Sequence, residues 1–174
     1  MALDKNALTS AMVAATKSCP AGGDAAMIAL GKAIEDYLIA NTDAVYAWSG
    51  KDPATSAPDP DTTFNAVVSA SGSDFVSKPS DFEKWVRDLE AFLNKIKIDP
   101  ASGWSLGSLA KTSGKIDIKQ LLNFPSATDG ELVMNSAFYL IADGVIDGWP
   151  SYFVTSAGGS HSKFLGSASL IGVS

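Results

Sequence analysis

Three things are scarce in this chain of 174 residues: it has one cysteine, one histidine and only 18% charged residues. The single cysteine, Cys19, excludes an intrachain disulfide. It reads either as an incidental thiol or as half of a bond between subunits. One histidine, His161, far along the chain from one cysteine, does not have zinc-site spacing. Asp59 and Asp61 do not match an EF-hand loop. Gly31-Lys32-Ala33 lacks the upstream glycine and the following serine or threonine of a phosphate-binding loop. No cofactor and no metal is therefore expected. Basic clusters are scarce too: 13 Lys and Arg face 19 Asp and Glu, for a net charge of -6. Nucleic-acid binding needs grouped positive charge, so no nucleic-acid partner is expected. No run approaches the roughly 18 apolar residues of a membrane span, so no membrane is expected either. The first residues, Met1-Ala2-Leu3-Asp4-Lys5-Asn6, lack the apolar core of a signal peptide, which points to a protein made in the cytoplasm.

What is present is apolar periodicity. Hydrophobic residues make up 46% of the chain, and its length is enough for one domain with a real core. Leu3 to Lys17 can form a helix with Asp4 as N-cap and Leu3 and Leu8 as a hydrophobic staple. Ser18 to Gly23 stops it. Asp24 to Ala40 follows, with Met27, Leu30, Ile34, Tyr37 and Leu38 on one face. The clearest helix opens at Ser80-Asp81-Phe82-Glu83, a capping box, and carries Phe82, Trp85, Val86, Leu89, Phe92, Leu93 and Ile96 in a broad stripe. A further capping box, Thr128 to Glu131, starts a helix to about Ile146 that is apolar around most of its circumference. That pattern predicts a place at the centre of the fold. Short helices are predicted at 106–111 and 118–123.

Val45 to Trp48 reads as a short strand, and Phe64, Ala66, Val68 and Ala70 alternate with polar or small residues as a second. The proline-rich link between them, Asp52 to Asp61, cannot be a central strand. The predicted fold class is mainly α with a small β-hairpin or ribbon (α+β). Residues 1–150 form a single compact helical domain, and residues 151–174 an extended C-terminal arm on that domain or on a neighbouring subunit. Glycine and serine fill the arm, but Phe164, Leu165, Leu170 and Ile171 are too apolar for a solvated tail and are the candidate interface residues.

One motif points to catalysis. Gly103-Trp104-Ser105-Leu106-Gly107 matches G-x-S-x-G, with Asp129, Asp143 and Asp147 following and then His161, the chain order of α/β-hydrolases. A serine hydrolase using Ser105 and His161 is thus one alternative. The surroundings argue against it, because the preceding Lys95 to Pro100 is short and charged and no series of βαβ units is present. Trp48, Trp104 and Trp149 suit stacking on sugars, so a carbohydrate-binding module is another alternative. Tryptophans in a core or an interface are the plainer reading.

Leu30-Gly31-Lys32-Ala33-Ile34-Glu35-Asp36-Tyr37-Leu38, Asn41, Val45-Tyr46-Ala47-Trp48-Ser49-Gly50, Pro58-Asp59-Pro60 and the alternating run after them resemble small virion structural proteins of tailed bacteriophages. The resemblance spans roughly residues 30–72. It implies a non-enzymatic subunit located in the virion, assembling with itself and with other virion proteins of head, neck, tail or baseplate.

Overall fold

The computed structural model describes residues 3–19, 23–69, 82–93, 96–105, 130–149 and 158–173. In chain order the elements are α1 (Lys5–Lys17), α2 (Gly23–Asn41), β1 (Ala44–Lys51), β2 (Thr63–Ser69), α3 (Phe82–Leu93), β3 (Lys97–Pro100), β4 (Trp104–Ser105), α4 (Gly130–Gly148), β5 (Gly159–His161) and β6 (Phe164–Val173). The predicted short helices at 106–111 and 118–123 lie outside the described residues, as do Ser80, Asp81 and Thr128 of the two capping boxes.

Local chemistry explains the helix starts and stops that are described. Asp4 takes extended backbone angles and its Oδ1 accepts the Ala7 N–H at 2.6 Å, satisfying one otherwise orphan donor of α1. At the end of α2, Asn41 donates its side-chain amide back to the Tyr37 carbonyl. Leu8 and Met12 of α1, Leu30, Ile34 and Leu38 of α2, and Trp85, Leu89, Phe92 and Leu93 of α3 are all buried. Burying each such side chain is worth about 1.5–3 kcal/mol before entropy is counted. Tryptophan N–H groups tie the layers with directed bonds. Trp85 Nε1 donates to the Met27 carbonyl of α2 at 3.0 Å, and Trp149 Nε1 donates to Thr42 Oγ1 at 3.0 Å. The circumference of α4 is less buried than its sequence predicts. Phe138, Ile141, Ala142 and Val145 are inside, but Tyr139 and Leu140 are 42% and 41% exposed.

The mainly α expectation is wrong. The strands form a six-stranded sheet in the order β3-β2-β1-β6-β5-β4, with every neighbouring pair antiparallel. Of the interpretable residues, 51% are helical and 26% are strand, so the class is α+β rather than mainly α. The expected β1–β2 pair is there, pairing Tyr46 with Phe64, but it is one third of a sheet and not a small appendage. The expected extended arm is corrected as well. Within residues 151–174, Gly159–His161 and Phe164–Val173 are strands of the chain's own sheet, and β6 lies in its middle against β1 from Lys51↔Leu165 to Ala44↔Val173. An alternation of Phe164, Gly166 and Ala168 on one side was hidden because two of its three members are too small to register as a hydrophobic face.

The sheet is rolled, and its connectivity requires this. β3 and β4 are its two edges, yet only residues 101–103 join them. The join from Pro100 to Trp104 spans at most about 14 Å of extended chain. A flat sheet would hold those edges about 24 Å apart, at roughly 4.8 Å per strand spacing. Curling brings them together: the rings of Phe64 on β2 and Trp104 on β4 stack with centroids 4.3 Å apart. The Ala101 N–H donates to the Asn65 carbonyl, and the Trp104 N–H to the Ala101 carbonyl, closing a tight turn. Gly103 takes φ +92° there, which suits the third residue of a type II turn. Along β1 the side chains of Ala44, Tyr46 and Trp48 are buried and join the helix residues in one continuous core, while Ser49 and Lys51 are exposed.

Candidate functional site

The link between β1 and β2 is highly ordered for a proline-rich segment. Asp52 Oδ1 accepts the Ala54 N–H, and Asp59 Oδ1 accepts the Asp61 N–H, so each carboxylate closes a turn two residues on. Backbone bonds run from Asp52 N to the Ala57 carbonyl, from Ser56 N to the Asp52 carbonyl and from Asp59 N to the Gly50 carbonyl. Ser56 takes φ 60° to make the bend. The loop therefore folds back on the end of β1 and delivers Asp59 to the indole of Trp48.

Asp59 is the centre of the site. Its side chain is 1% exposed. Oδ2 accepts from Trp48 Nε1 at 2.9 Å and lies 3.0 Å from Nδ1 of His161 on β5. Because a carboxylate only accepts, Nδ1 carries a proton in this contact. Asp61 stands at the rim, 58% exposed, with Oδ2 3.5 Å from the same Nδ1. Burial, the strongest influence on Asp59, pushes its carboxyl up. The Asp61 N–H, His161 and the Trp48 indole together outweigh it and hold the group below its ordinary value. Among the described residues, no Lys or Arg pairs with Asp59 or Asp61.

A ladder of rings holds the imidazole. His161 and Trp104, directly paired across β4 and β5, stack at 3.8 Å and 12°. Trp104 then stacks on Phe64, Phe64 on Tyr46 at 5.1 Å, and Trp48 meets Trp104 edge-on. Glycine makes room for this. A Cβ on Gly50 would lie 2.4 Å from Trp48 Nε1, and one on Gly166 would lie 2.1 Å from the Ser49 carbonyl oxygen. A second clasp sits beside the first: Lys163 Nζ, in the β5–β6 turn, lies 3.0 Å from Asp52 Oδ2. The Ala54 N–H first, and Lys163 second, hold the Asp52 carboxyl below its ordinary value.

The residues that the sequence nominated are distributed differently. Ser105 and His161 stand on neighbouring strands, but Trp104 pairs with His161 and Ser105 pairs with Ser160. Alternate strand residues point to opposite faces, so the Ser105 hydroxyl is turned away from the imidazole. The acid beside His161 is Asp59, upstream of it. Asp143 and Asp147 are bound by Lys5 instead, which raises the pKa of that lysine. Asp129 lies outside the described residues. Trp48 and Trp149 are buried, and Trp104 is flanked by Phe64 and His161, so the three do not form a sugar platform. Of the candidate interface residues, Phe164 packs against the core and Leu165 is 58% exposed, while Leu170 pairs with Tyr46 and Ile171 falls at the β-bulge opposite Val45 and Tyr46. Cys19 is a free, half-buried thiol 3.7 Å from the Ala25 carbonyl.

Sequence reasoning missed the pairing of Asp59 with His161 because they are 102 residues apart and no local spacing links them. Among the described residues no helix is long and apolar enough to cross a membrane. Comparison with known protein families, with curated proteins and with solved structures gives no match.

Proposed function

We propose that this chain is a non-enzymatic structural subunit of a phage particle, located in the virion and acting through contacts with copies of itself and with other proteins of head, neck, tail or baseplate. The observation that carries the reading is the placement of its large apolar groups. Leu165 on β6 and Tyr139 and Leu140 on α4 stand outside the core at 58%, 42% and 41% exposure. Exposed aromatic and aliphatic groups of this kind suit protein contacts. Two further points favour it. Residues 30–69, the described part of the stretch that resembles tailed-phage structural proteins, run from α2 through β1 and its hydrogen-bonded loop into β2. The hydroxyl of Ser105 and the imidazole of His161 do not form the relay that a serine hydrolase needs.

The test is the native mass of the purified protein, with electron microscopy of what it forms. More than one copy per particle is expected, and Leu165→Asp or Leu140→Asp should reduce the copy number while leaving the circular dichroism unchanged. A strictly monomeric protein would overturn the reading. So would fluorophosphonate labelling of Ser105 that disappears in Ser105→Ala.

A further inference from the structure

We propose that Asp59, Asp61 and His161 form a binding site for one divalent first-row transition ion, for which zinc is the natural probe, and that the ion pins the β1–β2 loop to β5.

The donor set and its spacing point to this. One carboxylate oxygen from each aspartate and Nδ1 of His161 lie within 4.8 Å of one another. Nδ1 is 3.0 Å from Asp59 Oδ2 and 3.5 Å from Asp61 Oδ2. With metal–ligand bonds of about 2.1 Å, those separations subtend angles of about 90° and about 110° at a common centre, the range of octahedral and tetrahedral coordination. One imidazole with two carboxylates is a borderline set, suited to zinc, manganese or ferrous iron rather than to calcium, which takes all-oxygen shells.

The surroundings fit a ligand set as well. Asp59 Oδ2 also receives the Trp48 indole N–H, and Oδ1 receives the Asp61 N–H, the outer hydrogen bonds that fix a ligating carboxylate. The stack on Trp104 fixes the plane of the imidazole. Among the described residues the buried Asp59 carboxylate pairs with no lysine or arginine, and its neighbour His161 is charged only when protonated. A divalent ion would balance both aspartates. Asp61 is exposed and His161 partly so, which leaves a way in and room for water as further ligands. On binding, Nδ1 gives its lone pair to the metal and the proton of the neutral ring sits on Nε2.

His161 is the sole histidine, so its ring nitrogens give unambiguous NMR signals. The experiment uses tag-free full-length protein stripped with a chelator and titrated with zinc, read by calorimetry and by nitrogen-15 NMR of the imidazole. The expected result is one zinc per chain with a large shift at Nδ1. Asp61→Asn removes a rim ligand without touching the bonds of Asp59 to Trp48 and His161. It should keep the circular dichroism of the parent and bind zinc at least tenfold more weakly, and His161→Gln should bind weaker still. The proposal is overturned by absence of saturable zinc binding, by binding that leaves Nδ1 unmoved, or by equal affinity in the parent and in folded Asp61→Asn.

Discussion

The two ends of the β1–β2 loop invite comparison. Asp52 and Asp59 each close a turn on the N–H two residues ahead, and each reaches across to the β5–β6 hairpin. Their partners differ. Asp52 meets Lys163, a permanent cation whose own side chain is 66% exposed. Asp59 meets an indole N–H and an imidazole inside a stack of rings. The first end is a single ion pair, a lysine reaching from solvent to a carboxylate that is itself buried. The second is desolvated, so every group in it must be satisfied and losing one member leaves the others stranded. Similar turn chemistry thus yields a fastening at one end and a rigid polar site at the other.

The comparison breaks most severely if the hairpin is lifted off β1. Gly166→Ala places a methyl group against the Ser49 carbonyl, backbone against backbone, with no flexible side chain to yield. A loss of about 4 kcal/mol or more is expected, seen as a collapse of the urea midpoint or as insoluble protein. Next, Asp59→Ala leaves the Trp48 N–H buried and unpaired and removes a turn. The expected loss is about 2–4 kcal/mol by chemical denaturation, with a change in tryptophan fluorescence.

The Asp52–Lys163 end should show itself through pH. The Asp52 carboxyl lies below its unfolded value in the native state, so protons bind preferentially to the unfolded chain. Its contribution is therefore fully present above the ordinary carboxylate range and is lost as pH falls through the depressed native value. Lys163→Met should flatten that part of the acid limb in urea titrations between neutral pH and pH ~3, because one of the groups holding the carboxyl down is gone. The smallest stability effect belongs to the outer face of β6. Leu165→Ser should change folding stability by no more than about 0.5 kcal/mol, checked by the same titration, although it removes an apolar group offered to a partner.

Legibility in the sequence followed the range of the interactions. The stripe of Trp85, Leu89, Phe92 and Leu93 is local, and it marked α3 correctly; Asp4 at the start of α1 was readable for the same reason. β6 was not readable. Two of its inward positions are Gly166 and Ala168, and at Gly166 the β1 backbone of Ser49 and Gly50 leaves no room for a Cβ, so a central strand carries the composition of a linker. The site was half visible. The sequence points to His161 and Ser105, but as partners of each other. One residue of register decides which side chain faces the imidazole, and the register placed Trp104 there. Asp59 reads only as a loop acid outside any EF-hand pattern, since nothing in its neighbourhood announces a histidine so far along the chain.

The place of β6 between β1 and β5 also orders events in time. β1 emerges from the ribosome early, but the strand that covers one of its sides is made more than a hundred residues later. Until then β1 presents a row of unpaired amides and carbonyls, with Tyr46 and Trp48 beside them, the kind of edge that recruits other chains. Closing the sheet must wait for β6 and is slow, since its central pairing joins residues more than a hundred positions apart. High expression rates should favour inclusion bodies, and slower synthesis at low temperature should favour soluble protein.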